Sequence, residues 1–198
     1  MGAAQKLELI SEADYLASEW ESPVRRELVG GMIFTMPDGT NAHSIIGGNV
    51  LASLHQRLRG TNWRPFNSNT KVRLKLPDQV RFYYPDVIVV ALPFAPNDVF
   101  HDRPAVIVEV SSRSTRRIDE GEKRDAYFTI ASLEAYLIVD SGEPRVTVWR
   151  RGEEGFAATV YTGDDAVIEL AGLNIELPLA DIYEAVVFPP EAPDGEME

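Results

Sequence analysis

Two stretches of the chain are apolar at nearly every position. They are Phe82-Tyr83-Tyr84-Pro85-Asp86-Val87-Ile88-Val89-Val90 and Pro104-Ala105-Val106-Ile107-Val108-Glu109-Val110-Ser111. Runs of this kind, rich in β-branched residues, predict central strands covered on both faces. By contrast, Lys71-Val72-Arg73-Leu74-Lys75-Leu76 alternates polar and apolar side chains and predicts a strand with one solvated face. Arg26-Glu27-Leu28-Val29, Gly30-Gly31 and Met32-Ile33-Phe34-Thr35-Met36 read as a hairpin closed by a glycine turn. Over residues 42–59, Ile46, Val50, Leu54 and Leu58 form a helical stripe, and Gly47-Gly48 within it suggests a close backbone approach.

Shorter signals frame these elements. Ser11-Glu12-Ala13-Asp14 has the form of a capping box and opens a helix that should bury Leu16 and Trp20. A second long helix is expected at about 117–131, followed by strands at Ala135-Tyr136-Leu137-Ile138-Val139-Asp140 and Arg145-Val146-Thr147-Val148-Trp149. Short strands continue to about residue 177, and residues 178–187 predict a final helix with Pro178 in its first turn. The pattern defines an α+β fold with an α/β-type core, a central mixed β-sheet flanked by helices. One domain is expected over residues 1–188, and residues 189–198 predict a flexible acidic tail.

Charge changes the picture only once its distribution is considered. The formal net charge of -12 is unfavourable for nucleic acid, but residues 152–198 hold twelve acidic side chains and no Lys or Arg. That leaves 19 acidic and 19 basic residues in residues 1–151. Seven basic residues fall between 57 and 81, and a second cluster is Arg113, Arg116, Arg117, Lys123 and Arg124, so a basic surface is compatible with the composition. With no cysteine, disulfides, thiolate metal sites and a cysteine nucleophile are excluded. No apolar run reaches the roughly 20 residues of a membrane span, and Met1-Gly2-Ala3-Ala4-Gln5-Lys6 lacks the apolar core of a secretory signal. A cytoplasmic protein without membrane association is the expectation.

The candidate chemistry lies inside the apolar runs. Asp86 and Glu109 interrupt the two most hydrophobic segments, where an unpaired carboxylate costs several kcal/mol or takes up a proton. Strand alternation puts Asp86 on the face of Ile88 and Glu109 on the face of Ile107, so neighbouring strands would bring the two acids together. Lys123, Ala126, Tyr127 and Ile130 share a helical stripe, which aims the lysine at the core. Two carboxylates and a nearby carbonyl, that of Val110, form a hard-oxygen set suited to Mg²⁺ or Mn²⁺ with several retained waters. No phosphate-binding Gly-x-x-x-x-Gly-Lys loop, dinucleotide fingerprint or serine-hydrolase elbow is present.

These residues carry a family resemblance. Pro85-Asp86 followed by Glu109-Val110-Ser111 resembles the PD-(D/E)xK nuclease signature. Glu27-Leu28-Val29-Gly30-Gly31, His43, Pro85-Asp86-Val87, Val108-Glu109-Val110-Ser111, Ser114-Thr115 and Gly121-Glu122-Lys123 with Tyr127 resemble the Uma-type restriction endonuclease family over about residues 8–165. In this chain Ser111 stands where the nuclease triplet has lysine, and the Uma-type pattern puts that lysine on the following helix, at Lys123. The resemblance implies a restriction-endonuclease-like fold and metal-dependent hydrolysis of DNA phosphodiester bonds. It assigns Asp86, Glu109, Lys123 and Glu27 to catalysis, with Mg²⁺ or Mn²⁺ held by Asp86, Glu109 and the Val110 carbonyl. Ser111, His43 and Arg113 are candidates for holding substrate. A homodimer or higher homo-oligomer is expected if both strands of a duplex are cut. Two alternatives stay open: a non-catalytic binding module that retains the fold, and a nuclease for RNA or branched DNA.

Overall fold

The computed structural model describes residues 9–36 and 39–188. Helix α1 (Glu12–Trp20) starts at Ser11, whose hydroxyl accepts the Asp14 amide. Strands β1 (Arg26–Val29) and β2 (Met32–Thr35) form the expected hairpin and turn through Gly30 and Gly31, both at positive φ. Thr40 caps α2 (Asn41–Arg57), whose stripe of Ile46, Val50 and Leu54, continued by Leu58, is buried. Next come β3 (Trp63–Asn67), β4 (Lys71–Lys75), β5 (Val80–Tyr83), β6 (Val87–Ala91), a two-residue β7 (Phe100–His101) and β8 (Pro104–Ser111). A broken helical segment follows: α3 (Arg116–Ile118), a π turn at Asp119–Lys123, and α4 (Arg124–Tyr127). The chain ends in β9 (Ala135–Asp140), β10 (Arg145–Gly152), β11 (Gly155–Thr162), β12 (Val167–Leu170), β13 (Ile175–Pro178) and α5 (Leu179–Ile182).

The described strands form a mixed six-stranded sheet in the order β11-β10-β9-β8-β6-β3, with β8 and β9 parallel and the other pairs antiparallel. A second sheet runs β2-β1-β5-β4-β7, and β12 pairs with β13. The six-stranded sheet is covered on both faces, as its apolar runs require. Val106, Val108 and Val110 of β8 point towards α2 and α5, while Ile107 points to the face packed by Ala126, Tyr127 and Ile130. Glu109 therefore enters the second of these layers. Among the described residues, no helix is long and apolar enough to cross a membrane.

Several expectations need correction. The first apolar stretch is not one strand: it breaks at Tyr84-Pro85-Asp86, with β5 in the five-stranded sheet and β6 in the six-stranded one. Pro85 has no amide to donate to a ladder, so a change of sheet there leaves no donor unpaired. Trp20 is not buried but 83% exposed. Polar bonding sets the phase of α1 instead: Tyr15 donates to the Arg26 carbonyl, and Glu19 accepts from the Arg26 amide and guanidinium. Lys71 does not lie on a solvated face; it is buried and donates to the Tyr84 hydroxyl at 3.1 Å. Gly47 and Gly48 meet nothing closer than ordinary van der Waals contact, so no close approach demands them. The helix expected at 117–131 is interrupted by the π turn and ends at Tyr127, and the last helix is a single turn. The acidic tail lies outside the described residues.

Candidate active site

Strand register brings the two acids together. The antiparallel pairing of β6 with β8 sets Val87 opposite Val108, so one step outward Asp86 stands opposite Glu109. Asp86 precedes β6, at the seam where the chain passes from one sheet to the other. One of its carboxylate oxygens accepts the Val110 amide at 2.7 Å, and the other lies 2.9 Å from His43 Nε2. His43 occupies the first turn of α2, where the Thr40 cap fixes its backbone. In an extended strand a residue's amide and carbonyl point to the same side, so the Val110 carbonyl also faces the Asp86 side.

Glu109 is buried at 5% exposure, and one of its oxygens accepts two hydrogen bonds. The donors are Lys123 Nζ at 3.1 Å and the Tyr127 hydroxyl at 2.8 Å. The same ammonium lies 3.2 Å from Glu27 Oε1 on β1, and that oxygen also accepts the Tyr84 amide at 3.1 Å. Lys123 thus joins an acid of the five-stranded sheet to an acid of the six-stranded sheet, with Asp86 at the crossing between them. Its ammonium also lies over the Tyr83 ring, 5.5 Å from the centroid.

The sequence reading missed one acid. Asp119, in the π turn, is 4% exposed, and the nearby hydroxyls of Ser111 and Thr115 favour its charged form. Asp119 and Lys123 stand at i, i+4, so the helical stripe that singled out the lysine also covered the aspartate. Ser111 is fully buried, its hydroxyl near the Ser112 carbonyl and the Thr115 hydroxyl instead of facing solvent. Arg113 is exposed on the turn after β8 and takes part in none of these bonds. Of the sequence candidates, Asp86, Glu109, Lys123, Glu27, His43 and Val110 come together directly, Ser111 stands behind them, and Arg113 lies outside.

The electrostatics follow from crowding acids around one lysine. Burial pushes Glu109 up to about 8, the Lys123 ammonium pulls it down, and Asp119, Asp86 and Glu27 push it further up. Burial likewise raises Asp119, against the pull of Lys123. Desolvation opposes the charge on Lys123, but Glu109, Glu27 and Asp119 outweigh it, so its pKa is raised. The hydrogen bond with Asp86 raises His43 above the usual 6.5 against the effect of its own burial. Tyr127 is held well above its ordinary value by burial and stays a hydroxyl donor.

The donor set fits a hard divalent cation. It consists of carboxylate oxygens and a strand carbonyl, with more negative than positive side chains gathered at one point. Among the described residues, no three Asp, Glu or His side chains converge closely enough to encage an ion. Mg²⁺ does not require that, because it is commonly bound by one or two carboxylates and keeps several waters. Asp86, just before β6, and Glu109, opposite it on β8, would supply two such carboxylates.

A nuclease-like fold with a carboxylate and lysine cluster at the sheet seam is the class these observations define. The family model Uma2, described as "Putative restriction endonuclease", matches residues 13–180, and the chain belongs to this family. Two relatives come from Synechocystis sp., and both are described as uncharacterized proteins. The protein sll1609 is 27% identical over 171 residues, covering 84% of this chain and 96% of its own length. The protein slr1290 is 26% identical over 181 residues, covering 90% and 94%. Among solved structures, a nuclease of the DUF820 group from Anabaena variabilis, described as putative, superposes with a TM-score of 0.70 at 16% identity. The match covers 88% of this chain and 98% of that one, a likeness of fold.

Proposed function

We propose that the chain is a metal-dependent nuclease that hydrolyses DNA phosphodiester bonds, with Asp86 and Glu109 holding Mg²⁺ or Mn²⁺. One observation carries this reading: Lys123 reaches both Glu109 and Glu27 beside the Asp86–Glu109 strand pair. When bound, the ion would lower the pKa of a coordinated water and offset the charge growing on the phosphate oxygens. The chain's own groups do the rest. His43 and the Val110 amide fix the two oxygens of Asp86, which sets the direction of its remaining lone pairs. Tyr127 pins Glu109 from the core side. The Lys123 ammonium, turned towards an entering phosphate, donates to a non-bridging oxygen or orients the attacking water. Glu27 is the second carboxylate that holds that ammonium in place.

Plasmid and oligonucleotide cleavage with Mg²⁺ or Mn²⁺ tests the reading. The wild type should cut, and Asp86→Asn, Glu109→Gln and Lys123→Met should each lose at least a hundredfold in rate, the scale of one lost electrostatic contact in a transition state. Equal cutting by wild type and Asp86→Asn would remove these residues from the chemistry. The burial of Lys123 between two carboxylates favours one rival, a binding module whose charge cluster is structural. Calorimetry separates the two, because the rival takes up no metal that depends on Asp86.

A further inference from the structure

Trp20 is the most exposed aromatic contact surface that α1 offers, and it belongs to no buried cluster among the described residues. A large aromatic ring left in solvent beside a concave surface is the informative exception to ordinary burial. Here the concavity is a cavity of about 300 Å³ with Trp20, Asn69, Thr70 and Lys71 among its walls. Its two carboxylates are already engaged: Glu19 by Arg26 and Tyr84, and Asp98 by the Ala95 amide. The remaining lining sets the apolar side chains of Leu16, Trp20 and Val99 beside the hydrogen-bonding groups of Asn69 and Thr70, with Lys71 behind them donating to Tyr84.

The turn that supplies Asn69 and Thr70 continues into Ser68, and Ser68 anchors Arg25. Arg25 donates to the Ser68 carbonyl at 2.8 Å and to its hydroxyl at 2.6 Å through the same nitrogen, leaving the other two guanidinium nitrogens without a partner among the described residues. Arg25 is exposed and has no carboxylate within ion-pairing distance among the described residues, while the neighbouring Arg26 is paired with Glu19. Strand alternation sets Arg25 on the same side as Glu27, two residues on. Asn67 pairs with Val87 across β3 and β6, so the next residue, Ser68, and the arginine bonded to it stand beside Asp86.

We propose that the path from the Asp86 pocket past Arg25 to Trp20 seats a single-stranded nucleic-acid segment. Arg25 takes a backbone phosphate next to the site, and Trp20 stacks a base further along. Resting on the nuclease reading above, the proposal adds the substrate form. A cation followed by hydrogen-bond donors and an exposed aromatic ring is the combination that holds unpaired strands, because every base has a face to stack while a duplex keeps its bases inside. Arg25 is a positioning residue, since it would touch the phosphate backbone and not the reacting phosphorus.

Binding is measured in the Asp86→Asn background, so that no turnover occurs, using an oligo-dT strand and its duplex with oligo-dA. The single strand should bind tighter than the duplex and quench tryptophan fluorescence. Trp20→Ala should weaken strand binding about tenfold, the scale of one lost base stack, and Trp20→Phe should recover most of it. Arg25→Ala should weaken binding and reduce the slope of log affinity against log salt by about one. Strand affinity unchanged by both alanine variants, a duplex preference, or no strand binding at all would overturn the proposal. Cleavage by the wild type with binding insensitive to Trp20 and Arg25 removes only the groove. Strand binding that needs both residues, without cleavage by the wild type, removes only the nuclease reading.

Discussion

His43 Nε2 lies 2.9 Å from Asp86 Oδ1, tying the first turn of α2 to the point where β6 begins. The Asp86 hydrogen bond raises the imidazole pKa, so the pair's contribution to stability is fully present below the unfolded value of about 6.5. It is lost as the pH rises through the higher folded value. An NMR titration should find His43 ionising above 6.5 and Asp86→Asn returning it to or below the ordinary range. His43→Ala should cost about 1.5 kcal/mol near pH 6, and less at pH 9, in urea denaturation.

Glu109 has its own pH signature. Its folded pKa, raised to about 8 from the usual 4.5, means the folded protein binds a proton that the unfolded chain releases between these values. Its contribution is therefore favourable below about 4.5 and fades as the pH rises through about 8. Glu109→Gln should gain stability relative to the wild type as the pH is raised across that window. If the stability difference between variant and wild type stays constant with pH, Glu109 does not titrate there.

Lys123 is the counter-charge for the cluster. Lys123→Met leaves buried carboxylates without their cation and should destabilise the protein by about 3–5 kcal/mol at neutral pH. Raising the pH above about 8 should deepen the loss, because Glu109 then gives up its proton with no cation beside it. Tyr127→Phe removes a single hydroxyl from the same oxygen and should cost about 1–3 kcal/mol. Chemical denaturation of the two variants and their double mutant measures the coupling directly.

Burial separates two apolar positions that the sequence pattern treats alike. Leu54 is fully buried against the six-stranded sheet, and Leu54→Ala should cost about 2–5 kcal/mol. Trp20, despite its size, should tolerate replacement by alanine within about 0.5 kcal/mol. Thermal or urea unfolding compares them, and a large loss at Trp20 would mean that it packs in solution.

Much of the site was legible because its signals were local. Asp86 and Glu109 stood out as charges within apolar runs, and the stripe through Lys123, Ala126 and Tyr127 aimed the lysine inward. The layout of the six-stranded sheet's centre followed from the same runs. What was hidden depended on long-range pairing. The change of sheet at Pro85-Asp86 requires knowing that β1 pairs with β5 while β3 and β8 pair with β6. The phase of α1 was misread because two polar residues, Tyr15 and Glu19, outcompeted Trp20 for the buried side by bonding Arg26. Lys71 was misread in the same way, since the Tyr84 hydroxyl that receives it lies in the break between β5 and β6. Asp119 could have been found from its spacing to Lys123 alone.

The seam at Asp86 has a mechanical consequence. Glu27 and Glu109 are anchored in separate β layers and meet through one ammonium, which acts as a rivet across the joint. The gap between these two carboxylates is therefore governed by how the layers lie against each other. Repacking of the aromatic residues wedged there, Tyr83 and Tyr127 among them, would register as misalignment of the acids before it loosened either sheet.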